Sequence, residues 1–400
     1  MKKIEVSNLT KVFGSNPEEG LERVKNGEGK DQILEETGMT VGVNNASFTV
    51  EQGEFFVIMG LSGSGKSTLI RLINRLIEPT SGEILIDGDD IAQADQQSLT
   101  EMRRKKLGMV FQKFALFPHR TVLANVEFGL EIQHVPKEER EKLARQAIED
   151  VGLAGYEDSY PDQLSGGMQQ RVGLARALSN NTDILLMDEA FSALDPLIRT
   201  EMQDELLYLQ KKLGKTILFI THDLDEALKL GDRIAIMKDG GIVQIGTSEE
   251  ILEFPANDYV ASFVNDVDRS RVLEAAHVMT KPQAVVTWSE GASVAVKKMQ
   301  EAELSSIFVV DDKGQLKGLL TYDKAVEGMN QSSWEEDLLV HDFATTKPNT
   351  PLHQLFGVAA DTKHPIAVVQ DDKLIGVVVK TSILAGLDLG KTNRKEEVIA

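Results

Sequence analysis

A two-part α/β protein is the fold class this sequence predicts, and three observations predict it. An apolar run, Phe55-Phe-Val-Ile-Met59, leads into Gly60-Leu-Ser-Gly-Ser-Gly-Lys66-Ser67, the order strand, loop, helix. Further apolar runs, Ile184-Leu-Leu-Met-Asp188 and residues 216–220, read as buried strands of a parallel sheet. Beyond about residue 270 the pattern changes and repeats. Ile307-Phe-Val-Val-Asp311 with Gly318-Leu-Leu320 returns as Ile366-Ala-Val-Val-Gln370 with Gly376-Val-Val378, about 58 residues on.

Taken in order, residues 2–13 read as an opening strand with Ile4, Val6, Leu9 and Val12 as its apolar positions. Residues 15–38 are charged and helix-like, with Leu21, Val24, Ile33 and Leu34 apolar, and read as a solvated helical pair. Segments 43–50 and 54–59 read as strands, and 66–77 as the helix after the loop. From about 91 to 180 the pattern is mainly helical. It includes the basic run Arg103-Arg-Lys-Lys106, read as a solvated face, and the aromatic loop Phe114-Ala-Leu-Phe-Pro-His119. Ile234-Ala-Ile-Met237, Asp239-Gly-Gly241 and Ile242-Val-Gln-Ile245 read as a hairpin, and 248–264 as a closing helical region. In the second part, each repeat carries an amphipathic helix, residues 293–303 and 351–362, ahead of its strand pair.

The chemistry concentrates in a few of these segments. Glycines at 60, 63 and 65 let backbone N–H groups crowd around phosphate oxygens, and the next helix presents its positive end to the same anion. Lys66 would reach the β- and γ-phosphates and the Ser67 hydroxyl a Mg²⁺ ion. Asp188 ends a buried strand where it can hold Mg²⁺, and Glu189, one residue on, can polarise an attacking water. Leu164-Ser-Gly-Gly-Met-Gln-Gln-Arg171 sets serine and glycine ahead of a helix, a second anion-binding start. Thr221-His222-Asp223 follows another apolar strand.

Composition narrows the remaining classes. The 400 residues leave room for two or three domains. No run approaches the roughly 18 apolar residues of a membrane helix, and Met1-Lys-Lys-Ile-Glu5 has no apolar export signal. The chain has no cysteine, which excludes disulfides, thiol catalysis and thiolate metal sites. The seven histidines lack ligand spacing, which leaves ATP-bound Mg²⁺ as the expected metal. A net charge of −20 argues against nucleic acid and against direct attraction to anionic lipid.

On these motifs, residues 1–265 resemble the nucleotide-binding subunit of an ABC transporter, with Leu164 to Gln170 matching that family's signature. The resemblance implies a P-loop ABC ATPase domain with a RecA-like core, an antiparallel β subdomain and a helical subdomain at about 91–180. It implies an aromatic stacking residue at Phe13, though ordinary core packing explains a lone phenylalanine equally well. The other implied contacts to nucleotide are Gly60, Ser62, Gly63, Ser64, Gly65, Lys66, Ser67, Thr68, Ser165, Gly166, Gly167, Gln169 and Asp195. Ser67, Gln112 and Asp188 are the implied metal ligands, and Glu189, His222 and Gln112 the implied catalytic set. Two copies are implied, because in this family Ser165 and Gly167 meet the phosphate held by the opposite subunit. Residues 112–119 are where importers of the family receive the coupling helix of a transmembrane permease subunit; burial within the helical subdomain is the competing explanation.

The repeats after 270 resemble an α/β tandem CBS pair, at about 275–330 and 336–390, ahead of a 391–400 tail of mixed charge. Adenosine-binding CBS repeats usually carry Ser or Thr after the glycine strand and Asp three residues later. Thr321 fits, but Lys324 takes the Asp position, with Asp323 one place early, and Val379 and Ser382 replace the second pair. A ribose-bound ATP or AMP is thereby disfavoured; cyclic di-AMP, or no ligand, stays open. Packing explains Trp288 and Trp334 better than ligand stacking does. The combination resembles the ATPase subunit of glycine betaine or proline betaine importers, in which the 15–38 insertion also occurs. That implies a peripheral protein on the cytoplasmic face of the plasma membrane, working as a homodimer with permease subunits and, indirectly, an external substrate-binding protein. Regulation by ionic strength or a cyclic dinucleotide is implied for the CBS pair. A constitutive dimerisation module, in an importer of another small solute, is the alternative. A soluble ABC ATPase of repair or translation usually fuses two ATPase halves or inserts long coiled coils, and neither pattern occurs here.

Overall fold

The computed structural model describes residues 1–112, 115–264, 268–271, 273–329 and 336–388. They divide into two units, the first ending at Val264. The first is built on a six-stranded sheet in the spatial order Gly241–Gly246, Arg233–Lys238, Phe55–Met59, Thr216–Thr221, Ile184–Asp188, Leu107–Val110. All its pairings are parallel except the edge hairpin, whose turn uses left-handed Asp239 and Gly240 as a two-residue hairpin turn requires. The strands Phe55–Met59, Ile184–Asp188 and Thr216–Thr221 are buried at every position, which is why their sequences do not alternate.

A four-stranded antiparallel sheet, Thr40–Glu51, Lys2–Phe13, Ser81–Ile86 and Asp89–Asp90, covers one side. Between the sheets lies a single apolar core: Ile4, Val6 and Phe48 from one, Phe56, Leu186 and Ile220 from the other, and Leu69, Ile70 and Ile73 from the helix Lys66–Ile73. The helix after the loop is therefore held by packing, with the loop at its start. It ends four residues before the expected position 77. Asn74 caps it, the Asn74 side-chain oxygen accepts from Leu76 N, and Arg75 turns left-handed.

The 91–180 stretch is less purely helical than its pattern suggests. After the helix Gln96–Lys106, the strand Leu107–Val110 joins the edge of the main sheet. The helices Val122–Ile132, Lys137–Asp150 and Gly166–Ser179 then pack on one another through residues such as Val126, Ala147, Ile148 and Val172. The closing region is two helices, Ser248–Glu253 and Asp258–Val264, interrupted at Pro255, where the residue before proline leaves the helical region.

The second unit contains the repeat as expected: strand, helix, strand, strand, helix, twice. Val285–Thr287, Ser306–Val310 and Leu316–Thr321 form one sheet, with helices Ala292–Glu301 and Tyr322–Gly328. Thr345–Thr346, Ile366–Gln370 and Lys373–Val378 form the other, with helices Leu352–Asp361 and Lys380–Asp388. In each, the first pairing is parallel and the second antiparallel. Each half has its own core, and Phe308, Leu319, Ala367 and Val377 form a small one between them. Trp288 packs at the edge of the first core, as expected; Trp334 and the 391–400 tail lie outside the described residues.

Candidate functional site

The loop from Gly60 to Gly65 leaves the buried strand Phe55–Met59 and enters the helix Lys66–Ile73. Gly65 has φ +102, and a Cβ there would run into the carbonyl oxygen of Gly42, so the loop closes only with glycine. Lys66 is 5 % exposed, and its ammonium donates to the carbonyls of Gly60 (2.7 Å) and Leu61 (3.0 Å) and approaches Ser64 Oγ at 3.5 Å. Burial lowers its pKa, opposed by the charges of Glu189 and Asp188. A buried ammonium partnered only by carbonyls and a hydroxyl fits an incoming phosphate.

Ser67 Oγ donates to Asp188 Oδ1 at 2.9 Å, bringing the loop and the end of the strand Ile184–Asp188 together. Burial raises the Asp188 pKa, while the Ser67 hydrogen bond and the Arg71 guanidinium, 3.9 Å away, oppose the rise. Two hard oxygen donors at this spacing fit a Mg²⁺ ion. Among the described residues no group of three or more His, Asp or Glu side chains is placed to hold a metal ion.

Glu189 is the hub of the next layer. Its backbone is left-handed, φ +47, a conformation that costs a non-glycine residue on the order of 1 kcal/mol, and its N–H is held by Ile220 O at 3.0 Å. Its Oε2 accepts from Gln112 Nε2 at 3.2 Å and lies 3.3 Å from His222 Nδ1. Gln112 also donates to Ser192 Oγ at 3.3 Å, and that hydroxyl donates to Glu189 O at 2.9 Å. The structure thus brings together Ser67, Gln112, Asp188, Glu189 and His222, from the helix Lys66–Ile73 and the ends of the strands Leu107–Val110, Ile184–Asp188 and Thr216–Thr221.

A cleft of about 310 Å³ opens over the loop, lined by Phe13, Thr40, Gly42, Ser62, Gly63, Gly65 to Thr68 and Glu189. Phe13 is 38 % exposed there, with its ring against Gly42 and Lys11 Nζ 5.1 Å from its centroid. Core packing does not describe it; an exposed ring beside a phosphate loop does. Lys30, Asp31 and Leu34 line the same cleft, so the 15–38 segment is a helical pair as expected but not merely a solvated one.

The 164–171 segment supplies no lining to this cleft. Ser165 caps the helix Gly166–Ser179 through a 3.4 Å bond from Met168 N, and Gln169 Nε2 donates to Pro161 O and Leu164 O. A Cβ on Gly167 would meet Ile198 Cγ2 at 2.6 Å. Asp195 caps the helix Pro196–Leu213, accepting from Ile198 N at 3.1 Å. Neither Ser165 to Gln169 nor Asp195 lines the cleft over the loop of its own chain.

Sequence reasoning missed several neighbours. Arg71 lies one helical turn beyond Ser67, a spacing that could have found it. Glu226, buried and with its pKa raised by that burial, accepts from Thr221 Oγ1 and Gln203 Nε2 and so ties the turn before His222 to the helix Pro196–Leu213. The basic run is more structural than a solvated face: Arg103 donates to the carbonyls of Asn74 and Arg75, and Lys106 pairs with Asp87 and Asp89. Phe117 is half-buried against Phe128, ring centroids 4.5 Å apart, under the Arg120 guanidinium. Phe114 of the same loop lies outside the described residues.

In the second unit, Lys324 Nζ reaches Asp337 O at 3.4 Å, and Ser382 Oγ bonds both N and O of Val379. Both positions where a ribose would need a carboxylate are thus engaged with backbone.

Comparison with known proteins places the whole chain. A family model described as ABC transporter matches residues 43–192, and one described as CBS domain matches 275–329. The chain is 55% identical to the glycine betaine/carnitine transport ATP-binding protein GbuA of Listeria monocytogenes, across 98% of this chain and 99% of that one. It is 55% identical to the glycine betaine transport ATP-binding protein OpuAA of Bacillus subtilis (96% and 92% covered), and 49% identical to ProV of Escherichia coli, the ATP-binding protein of a glycine betaine/proline betaine transport system (96% and 98%). Among solved structures, the dimeric ABC transporter cassette MJ0796 matches 61% of this chain and 98% of its own at 35% identity, with a TM-score of 0.52. The same cassette has also been solved in a post-hydrolysis state with ADP and Pi. The phosphate loop, the carboxylate pair and these full-length relatives together make this chain an ATP-hydrolysing subunit of the ABC transporter family, with a CBS domain following its ATPase unit.

Proposed function

We propose that the chain energises import of a quaternary-amine osmolyte, glycine betaine or proline betaine, as one of two ATPase subunits at the cytoplasmic face of the membrane. The observation that carries this is identity of 55% to a glycine betaine/carnitine transport protein over nearly the whole chain, the 15–38 segment and the second unit included. Among the described residues no helix is long and apolar enough to cross a membrane, so transport requires permease partners. The exposed Ala115, Pro118 and His119 beside Gln112 support docking of such a subunit at 112–119.

In this reading the backbone of Gly60, Ser62, Gly63, Ser64 and Gly65 wraps the phosphates, Lys66 carries their charge and Thr68 lies beside the base end. Phe13 stacks on adenine. Ser67, Asp188 and Gln112 would hold Mg²⁺, which would supply neutralisation of the phosphate charge. Glu189 takes the proton of the attacking water, a role typically contributing 10²- to 10⁴-fold. His222 and Gln112 hold that carboxylate in place through the contacts above. Ser165, Gly166, Gly167, Gln169 and Asp195 face the nucleotide of the opposite subunit, which accounts for their absence from the lining of their own cleft. One phosphate then sets a two-state equilibrium between joined and separated subunits, and that motion drives transport.

The CBS pair, in this reading, adjusts the rate in response to ionic strength or cyclic di-AMP. A cleft of about 530 Å³ bordered by Lys363, His364 and Lys380 supports an anionic ligand there. Charge-based sensing is physically sound, because the Debye length shrinks from about 10 Å at 0.1 M to about 3 Å at 1 M salt. ATPase activity and labelled glycine betaine uptake by the reconstituted complex, measured against ionic strength with and without cyclic di-AMP, test both parts. Uptake without competition by betaines rejects the substrate. Unchanged salt and dinucleotide response after removal of residues beyond about 270, with weakened assembly, makes the second unit a dimerisation module.

A further inference from the structure

We propose that the inserted helix Lys30–Thr37 forms the outer wall of the nucleoside end of the ATP cleft, with Leu34 packing on the base and Asp31 accepting hydrogen bonds from nucleoside donors. The proposal rests on the reading that this cleft holds ATP. Lys30, Asp31 and Leu34 fall on one face by their i, i+1, i+4 spacing, and all of them line the cleft with Phe13. Leu34 is 47% exposed on a helix whose other apolar residue, Ile33, is fully buried. An apolar side chain left open beside an exposed aromatic ring is what a flat heterocycle would cover. The Asp31 carboxylate would repel phosphate, so it suits the end of the ligand that carries amine and hydroxyl donors.

The wall is held in place before any ligand arrives. Ile33 packs with Met39 and with Val12 and Val41, the last two in the strands that carry Phe13 and Gly42. Arg23 of the helix Pro17–Lys25 donates to Glu28 (3.1 Å) and Glu36 (2.6 Å), clamping the two helices together. Lys30 pairs with Asp239 at 3.2 Å, at the tip of the edge hairpin. The next residue, Gly240, donates to Ser64 O at 3.0 Å and accepts from Asn44 N at 2.8 Å, so the inserted helix, the hairpin and the phosphate loop form one linked frame.

Titration calorimetry of the full chain with Mg-ATP and with Mg-tripolyphosphate, which lacks a nucleoside, tests this. The double variant Leu34→Ala/Asp31→Ala should lose about tenfold in ATP affinity with tripolyphosphate affinity unchanged, and Phe13→Ala should behave likewise. Unchanged ATP affinity in the double variant, with a loss in Phe13→Ala, overturns the wall and leaves the cleft assignment standing. Unchanged affinity in both variants overturns the cleft assignment too. An equal loss for tripolyphosphate also overturns the proposal, since the nucleoside would not be what Leu34 and Asp31 read.

Discussion

Glu189 Oε2 lies 3.3 Å from His222 Nδ1, a carboxylate and an imidazole delivered by the ends of the neighbouring strands Ile184–Asp188 and Thr216–Thr221. Gln112 Nε2 donates to the same oxygen at 3.2 Å, and on the proposed reading this carboxylate would meet the water that attacks a phosphate held by Lys66. Glu189→Gln keeps size and hydrogen bonding but cannot take a proton. Turnover of ATP should fall at least about 10²-fold while ATP binding persists and a nucleotide-joined dimer accumulates. Single-turnover kinetics with parallel sedimentation checks this, and full turnover removes Glu189 from the role of base.

The Ser67 to Asp188 hydrogen bond predicts a separable effect. Ser67→Ala and Asp188→Asn each remove a hard oxygen donor or its charge, so both should raise the Mg²⁺ concentration needed for half-maximal activity, on the order of tenfold or more. A Mg²⁺ titration at saturating ATP measures it. Unchanged Mg²⁺ dependence in both variants excludes this pair as the metal site.

Arg103 predicts a stability effect where its neighbour does not. It donates to the Asn74 and Arg75 carbonyls at the end of the helix that follows the phosphate loop, whereas Arg104 is exposed. Arg103→Ala should cost about 2 kcal/mol, and Arg104→Ala about zero. Denaturant unfolding of both variants decides it; equal midpoints would remove Arg103 as a tie.

Much of the catalytic unit was legible because its chemistry constrains sequence locally. Backbone N–H groups cannot surround a phosphate without glycines, and a doubly covered strand must be continuously apolar, so the loop and three central strands could be read directly. The strand Ser81–Ile86 escaped notice because its first half, Ser-Gly-Glu, is polar; pairing with the opening strand makes it a strand, not its own pattern. The end of the helix at Ile73 was hidden for a related reason, since Asn74 and Arg75 turn the chain only in company with Leu76 N and the carbonyl of Ile91. The place of Leu34 beside Phe13 depends on the small core around Ile33, and no local spacing encodes that. The CBS repeat was legible as a period, while its departures at Lys324 and Ser382 became interpretable only once their backbone partners were seen.

Glu290 gives the second unit an acid-sensitive tie. Hydrogen bonds from Lys298 first, then from Thr287, hold its pKa down to about 2, below the ordinary 4.5. A depressed carboxylate adds stability that is complete above the unfolded value and is lost as pH falls from about 4.5 towards 2. Because the group is a third exposed, the contribution should stay below about 1 kcal/mol. Glu290→Gln should therefore lower the Tm slightly at pH 7 and match the parent near pH 2; a constant offset at all pH values contradicts the tie.

Head-to-tail pairing, with Lys66 of one subunit and Ser165 of the other on the same nucleotide, is tested most directly by mixing defective chains. Lys66→Ala and Ser165→Arg variants carrying different tags, each inactive alone, should regain ATP hydrolysis when co-purified as a mixed dimer, because one of its sites draws both residues from intact segments. Silence in the mixed dimer, or undiminished hydrolysis by the Ser165→Arg chain alone, contradicts a nucleotide shared between subunits.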